Sequence, residues 1–529
     1  MSLGFTDLVV VAGYAIVLFA IALWVSREPA GHQKSTEDYF LAGRSLPWWA
    51  IGASLIAANI SAEQIIGQSG QGFVVGIAIA AYEWQAAIVL LIVAKFFLPI
   101  FLKREIYTMP QFLETRYGDG VKILMSGYWI ILYTAVNLTA VLWLGGLAIE
   151  SLVGLEVFWA MCALATFATL YSLYGGLKAV ALTDIIQVVV LIFGGLAITW
   201  IALDLVGGER GPVAGLSRLG AEIPGHFKMI LSADHPGYAD LPGIWTLLGG
   251  LWVLHFSYWG FNQYIIQRAL GAENLAEAQK GLAFAAFLKL LIPLIVVVPG
   301  IAAVLLAQDG QLDGSVIVGT TDRTYGELIK LAPVGVRGLV FAALIAAIVS
   351  SLASMINSIA TIFTMDIYRD YLSTGRNEKH YVMVGRLVAL SAMAIALMLA
   401  RPFLGGMESA FQTIQEYTGF IAPGVVAIFL LGFFFQRANQ QGAFAVLIGS
   451  VCISIALKLG LPEMPFVLRI WIVFLAITAL GIIVSLATRE PPQEQPVVLA
   501  DIQFHTRAGF NLAAVVIAIS LLAIYVVYW

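Results

Sequence analysis

Glu83 and Lys289 stand among neighbours that are almost all apolar, within Ala81–Ala86 and Phe287–Leu291. An acid and a base in two separate apolar stretches can neutralise one another, or both can hydrogen-bond one polar ligand held between them. Other polar groups gather in the same way. Ala57-Ala58-Asn59-Ile60-Ser61-Ala62-Glu63-Gln64 is followed one turn on by Gln68, and Tyr82 and Gln85 flank Glu83. His255, Ser257 and Tyr258 precede Asn262 and Gln263, while Gln412, Gln415 and Glu416 share a later stretch. A second pattern concerns a cation. Ala347, Ser350 and Ser351 lie at i, i+3 and i+4 and share one helix face. Two hydroxyls and a carbonyl there, facing the carbonyls of Ala57 and Ile60, would supply an uncharged oxygen cage suited to a weakly held Na+.

Plainer readings stand beside these. Ser354, Ser358 and Thr361 can bond their own i−4 carbonyls or ease helix packing. Asp184 follows Thr183 where a span begins and can serve as an N-cap. Lys289 can snorkel towards an interface, and His255 can be a packing residue. Other chemistry is absent: there is no Gly-Lys-Ser/Thr phosphate loop, no zinc pair and no Cys-x-x-Cys. Gly67, Gly70 and Gly72 lack the strand-then-helix setting of a nucleotide site and read as packing glycines. Cys162 and Cys452 lie far apart in apolar runs. With no ATP-binding module, accumulation against a gradient must be driven by an ion.

The elements that carry these residues are set by composition. Of 529 residues, 60% are hydrophobic and 11% charged, with a mean hydropathy of +0.91, against about 25% charged in soluble domains. Several soluble domains are excluded, and the net charge of −4 gives no reason to expect a nucleic-acid partner. Apolar runs recur at the length that spans a bilayer as helix. Fourteen are placed near 5–26, 48–70, 74–100, 121–152, 156–174, 183–205, 241–265, 278–308, 335–368, 381–401, 405–434, 443–460, 466–488 and 508–528. The loops 27–47, 101–120, 175–182, 266–280, 366–380, 435–442 and 489–507 hold 15 Lys or Arg against 5 in the opposite set. Basic loops stay cytoplasmic, so both termini are expected to face outward. Neither long loop, 206–240 or 309–334, looks like a separate domain; the first reads as an ordered cap, and Pro491–Gln495 as a flexible link. No cleavable leader is evident, since no basic residue precedes the first apolar run.

The polar patches fall about halfway along the second and seventh spans, five helices apart. Interruptions at matching places in two five-helix halves point to an inverted-repeat transporter with its site at the midplane.

Four stretches then carry a resemblance: Ser35–Gln64 (STEDYFLAGRSLPWWAIGASLIAANISAEQ), Tyr174–Gln187 (YGGLKAVALTDIIQ), Tyr258–Leu290 (YWGFNQYIIQRAL through FAAFLKL) and Phe341–Asp366 (FAALIAAIVSSLASMINSIATIFTMD). They resemble the sodium/sugar cotransporters of the solute:sodium symporter family, above all its bacterial galactose-carrying branch. The resemblance implies an all-α membrane protein of the amino-acid/sodium symporter-like fold, with fourteen transmembrane helices and a ten-helix inverted-repeat core. The halves would be 48–205 and 241–434, joined by the external loop 206–240 and flanked by 1–47 and 435–529. It implies alternating access, with sugar hydroxyls held by Gln64, Glu83, Lys289 and Gln415 and with Asn59 close by. Tyr258 would stack on the sugar as inner gate, while Tyr82 and Phe411 close the outer side. Sodium would sit among Ala57, Ile60, Ala347, Ser350 and Ser351, with Asp184 on its exit path. Three positions depart from the galactose pattern: Ala86 replaces a serine contact, His255 an asparagine contact, and Gln68 an outer-gate methionine.

The expected function is sodium-driven uptake of a galactose- or glucose-like sugar across a bacterial inner membrane. The alternative is the same fold carrying a sialic acid, a polyol or a nucleoside; an acidic substrate would want an intramembrane Arg, and none is evident. An enzyme acting on lipid-linked sugars would need a catalytic His/Asp cluster or metal motif, yet His255 is the single intramembrane histidine.

Overall fold

A computed structural model describes residues 3–25, 35–319, 321–405, 410–488 and 499–529. The expected link Pro491–Gln495 lies outside the described residues. Among those described there is no strand, and one isolated bridge joins Leu46 to Ala272. Among the described residues, ten helical runs are long and apolar enough to cross a membrane, and Phe5–Leu18 and Val157–Leu170 are shorter apolar helices. The chain is a multi-pass membrane protein.

Burial separates the core from the rim. Val336–Leu372 has 89% of its most apolar window inside the protein, whereas Ala508–Val527 has 17%. The first is the central post; the last turns most of its apolar surface to lipid. Close approach is made by glycine. A Cβ on Gly300 would stand 2.0 Å from the Ser69 carbonyl, and one on Gly72 would stand 2.7 Å from that of Val297. Gln68–Val75 is thereby seated directly on Leu275–Gln308.

Several spans break, and each break has a local cause. Trp48–Asn59 ends at Ile60, whose ψ of 91° is extended. Ser61 and Gln64 then restart the helix. The Ser61 hydroxyl accepts from the Glu63 amide at 3.1 Å, and the Gln64 side-chain oxygen accepts from the Ser61 amide at 3.2 Å. This reciprocal Ser-x-x-Gln cap needs no water, which a break at membrane depth lacks. The expected seventh span, 241–265, runs through Gly250–His255 and a π-helical turn at Phe256–Gly260, and then breaks at Phe261 and Asn262. Asn262 caps Gln263–Leu270 by accepting from the Tyr264 amide at 3.2 Å. The break therefore falls beyond the polar patch at His255–Tyr258. A further interruption separates Ala410–Gly419 from Ala422–Phe434. There Ser450 donates to the Phe420 carbonyl and accepts from the Gly424 amide.

Val157–Gly207 is helical along its length, yet it is not one straight rod. Leu164 and Ile348 both pack against Gly145, while Asp184 bonds Ser350, two residues past Ile348. A straight helix would hold residues 164 and 184 about 30 Å apart, so the segment bends back between them.

The 206–240 segment packs onto the bundle. Gly211–Glu222 lies against the end of Val157–Gly207, and the His226 ring bonds the Phe73 carbonyl at 3.1 Å. Arg218 bridges Glu222 and Asp309, both at 2.7 Å, and so ties the two long loops together.

Candidate functional site

The breaks at Ile60 and Phe261 converge on a cavity of about 70 Å³. Asn59, Gln64, Gln68, Tyr82, Glu83, His255, Tyr258, Lys289 and Gln415 all line it. At its centre Lys289, 1% exposed, donates to the Glu83 carboxylate and to the Asn59 side-chain oxygen, with its ammonium 4.8 Å from the centre of the Trp259 ring. Gln68 donates to the other Glu83 oxygen at 2.7 Å. Lys289 therefore does not reach for an interface; the pair is neutral overall and further hydrogen-bonded by Asn59 and Gln68.

Aromatic rings bound the cavity on two sides. Tyr82 meets Phe411 edge-on at 5.7 Å and His255 at 6.3 Å. Phe411 does not line the cavity; it is fully buried against Gly67 and backs the Tyr82 ring. The Tyr258 hydroxyl accepts from Asn59 at 3.2 Å and from the Tyr264 hydroxyl at 2.7 Å. Six cavity residues do not figure in the sequence-derived set of ligand groups: Glu63, Asn137, Leu254, Trp259, Ile414 and Thr418. Glu63 and Trp259 each adjoin a predicted residue. Asn137 sits in a π-helical stretch, Leu132–Leu138, within a long apolar span, and its sequence signal is a lone amide inside that apolar run.

Five buried polar atoms of the lining have no partner: Glu63 Oε1, Gln68 Oε1, Tyr82 OH, Asn137 Oδ1 and His255 Nε2. Each unmet group costs about 1–3 kcal/mol, so a ligand carrying several groups that both donate and accept would be held strongly here.

The candidate cation region lies beside the first break. Ser351 donates to the Ala58 carbonyl at 2.9 Å and to the Ala347 carbonyl at 3.1 Å. Thus the central post and the end of Trp48–Asn59 meet at Ala58. The Ser350 hydroxyl donates to Asp184 at 2.5 Å. Asp184 is fully buried in mid-helix and is no N-cap. Ser54 donates to it at 2.5 Å, and Arg268 pairs with it at 3.4 Å. Arg268 corrects the sequence reading. It is 1% exposed within Gln263–Leu270, not in a loop, and it also bonds Ser54 and Ser354. Hydropathy puts a cation outside the membrane unless its acid partner, 84 residues earlier in the chain, is known. Glu416 points elsewhere, to Arg469 and Lys458.

Residues 39–449 match the family model described as the sodium:solute symporter family. The chain belongs to that family. The sodium/glucose cotransporter of Vibrio parahaemolyticus is 49% identical over 100% of this chain and 99% of its own length. Sodium/glucose cotransporter 1 of Mus musculus is 33% identical over 85% of this chain and 71% of its own. The structure of a Na+-coupled sialic acid symporter in its substrate-bound outward-open state superposes with a TM-score of 0.80 at 21% identity, covering 93% of this chain and 99% of that one. This symporter shares that fold. Of its three departures from the galactose pattern, Gln68 and His255 line the cavity, whereas Ala86 is buried outside the lining.

Proposed function

We propose that this symporter moves a galactose- or glucose-like monosaccharide into the cell with Na+, by alternating access. The observation that carries the reading is the cavity itself: a self-neutralised Glu83–Lys289 pair, the amides of Asn59, Gln64, Gln68, Asn137 and Gln415, and five unpartnered polar atoms, lined also by Tyr82, Tyr258 and Trp259. A neutral ligand with hydroxyls all round satisfies donors and acceptors alike, and its C–H face suits the flat ring of Tyr258. The names of the bacterial and mammalian relatives point the same way.

In this reading Asn59, Gln64, Glu83, Lys289 and Gln415 hold the sugar, His255 and Gln68 tune its selection, and Tyr82, Phe411 and Tyr258 gate it. Na+ sits at the carbonyl end of Trp48–Asn59 with Ser351, Ala347, Ala57 and Ile60, close to Ser350, and Asp184 lies on its way out. Fourteen spans, five-helix halves at 48–205 and 241–434, a bacterial inner membrane and outward-facing termini complete the proposal. One Na+ entering at 100 mV with a tenfold gradient releases about 2.3 plus about 1.4 kcal/mol, enough for accumulation of several hundredfold at one-to-one coupling.

An acidic substrate fits less well, because Lys289 is committed to Glu83 and Arg268 to Asp184. A polyol is the second reading, favoured by the Sus scrofa sodium/myo-inositol cotransporter 2, which is 30% identical over 94% of this chain. Uptake of labelled galactose, glucose, myo-inositol and sialic acid into proteoliposomes, with and without an imposed sodium gradient, decides among them. The proposal expects gradient-dependent uptake of a hexose. Gradient-dependent uptake of inositol alone would replace it with the second reading.

A further inference from the structure

The last helix, Ala508–Val527, meets the beginning of Leu275–Gln308 and leaves between them an apolar groove of about 330 Å³. Phe284 and Phe287 form one wall, and Ala513, Val516 and Ile517 the other. Trp48 closes one end, its ring edge-on to Phe284 at 5.5 Å. Phe287 is 46% exposed and Val516 49%, so the groove opens sideways towards lipid. Its depth in the membrane follows from its walls: helices begin here at Trp48, Leu275 and Ala508. Trp48 and Trp49 are 37% and 43% exposed beside it, as tryptophans are at the headgroup level.

Charge singles out one class of lipid. Lys280 is the one charged residue of the lining, and Arg507 immediately precedes the last helix. Glu277 lies between them, bonded to Lys280 at 2.8 Å and within electrostatic reach of Arg507, and its other oxygen accepts from the Trp48 amide. Two cations against one acid leave the mouth with a surplus positive charge where a lipid phosphate would lie.

We propose that this groove binds one anionic phospholipid, an acyl chain lying against Phe284, Phe287, Ala513 and Val516 and the phosphate held by Lys280 and Arg507. The full chain in detergent is titrated with phosphatidylglycerol, and separately with phosphatidylethanolamine, and read by native mass spectrometry. One phosphatidylglycerol is expected to bind more tightly than phosphatidylethanolamine. Lys280→Ala combined with Arg507→Ala should weaken phosphatidylglycerol roughly 25-fold, at about fivefold per basic residue, and weaken phosphatidylethanolamine, whose ammonium already offsets its phosphate, much less. Ala513→Trp, which fills the groove, should expel both lipids, whereas Leu522→Trp on the exposed face of the same helix should expel neither. Equal binding of the two lipids, wild-type phosphatidylglycerol affinity in the double variant, or lipid retained by Ala513→Trp would each overturn the proposal. If Ala513→Trp does not elute as a folded, monodisperse species, the double variant alone decides.

Discussion

Lys289 and Glu83 show how a residue's surroundings set its task. Each is buried and each satisfies the other, so removing one strands a charge at a cost of about 3–5 kcal/mol. Lys289→Ala is therefore expected to abolish sugar uptake and lower the thermal unfolding temperature. Adding Glu83→Gln should restore much of the stability and none of the uptake. Gln415→Ala should abolish uptake while changing stability little, since Gln415 is held by no comparable pair. Gln68 presents a different case: it spends its amide on Glu83 and turns an unpartnered oxygen to the cavity. Gln68→Met should shift the order in which sugars compete for uptake and change the half-saturating sodium concentration less than about twofold, because it lies outside the cation region. An unchanged competition series would remove Gln68 from the selectivity determinants. These residues were legible because polar side chains in apolar spans are few. Arg268 was not, because its partner Asp184 is brought to it only by the folded chain.

At the scale of elements, broken helices do what intact ones do not: they free carbonyls and turn side chains into one cavity. The first break is written in the sequence as Ser61-x-x-Gln64, a cap placed inside an apolar run. The second is less obvious, because its polar patch precedes the break and its cap is the single residue Asn262. The interruption at Phe420–Ile421 is flanked by the breakers Gly419 and Pro423, and its freed backbone groups are met by Ser450 from another helix, a partner no local pattern reveals. Ser351→Ala should raise the half-saturating sodium concentration by about tenfold, the worth of one hydrogen-bonding group to a charge, and leave sugar preference intact. An unaltered sodium titration would move the cation away from Ser351. Gly300→Val tests the packing that seats the second half of the first broken helix. A side chain there collides with the Ser69 carbonyl, and overpacking costs about 1–3 kcal/mol. A lower yield of folded protein and a lower unfolding temperature are expected by size-exclusion and thermal-shift measurements.

For the whole molecule, hydropathy was sufficient to read an all-helical membrane protein and where most spans lie. It said less about depth of burial, since a central post and a lipid-facing helix are equally apolar; Val336–Leu372 and Ala508–Val527 differ in what surrounds them, not in composition. In the proposed mechanism the cation region and the sugar cavity share Trp48–Asn59, and that shared stretch would couple them. Ala58 faces Ser351, and Asn59, its neighbour, faces Lys289 and Tyr258. Ordering that short stretch for one ligand prepares it for the other, and linkage requires the two effects to be equal. The decisive measurement is equilibrium sugar binding to the purified protein over a sodium titration, paired with sodium binding over a sugar titration. Sodium should tighten the sugar, sugar should tighten sodium by the same factor, and Ser351→Ala should diminish both effects together. Sugar affinity indifferent to sodium would contradict the account.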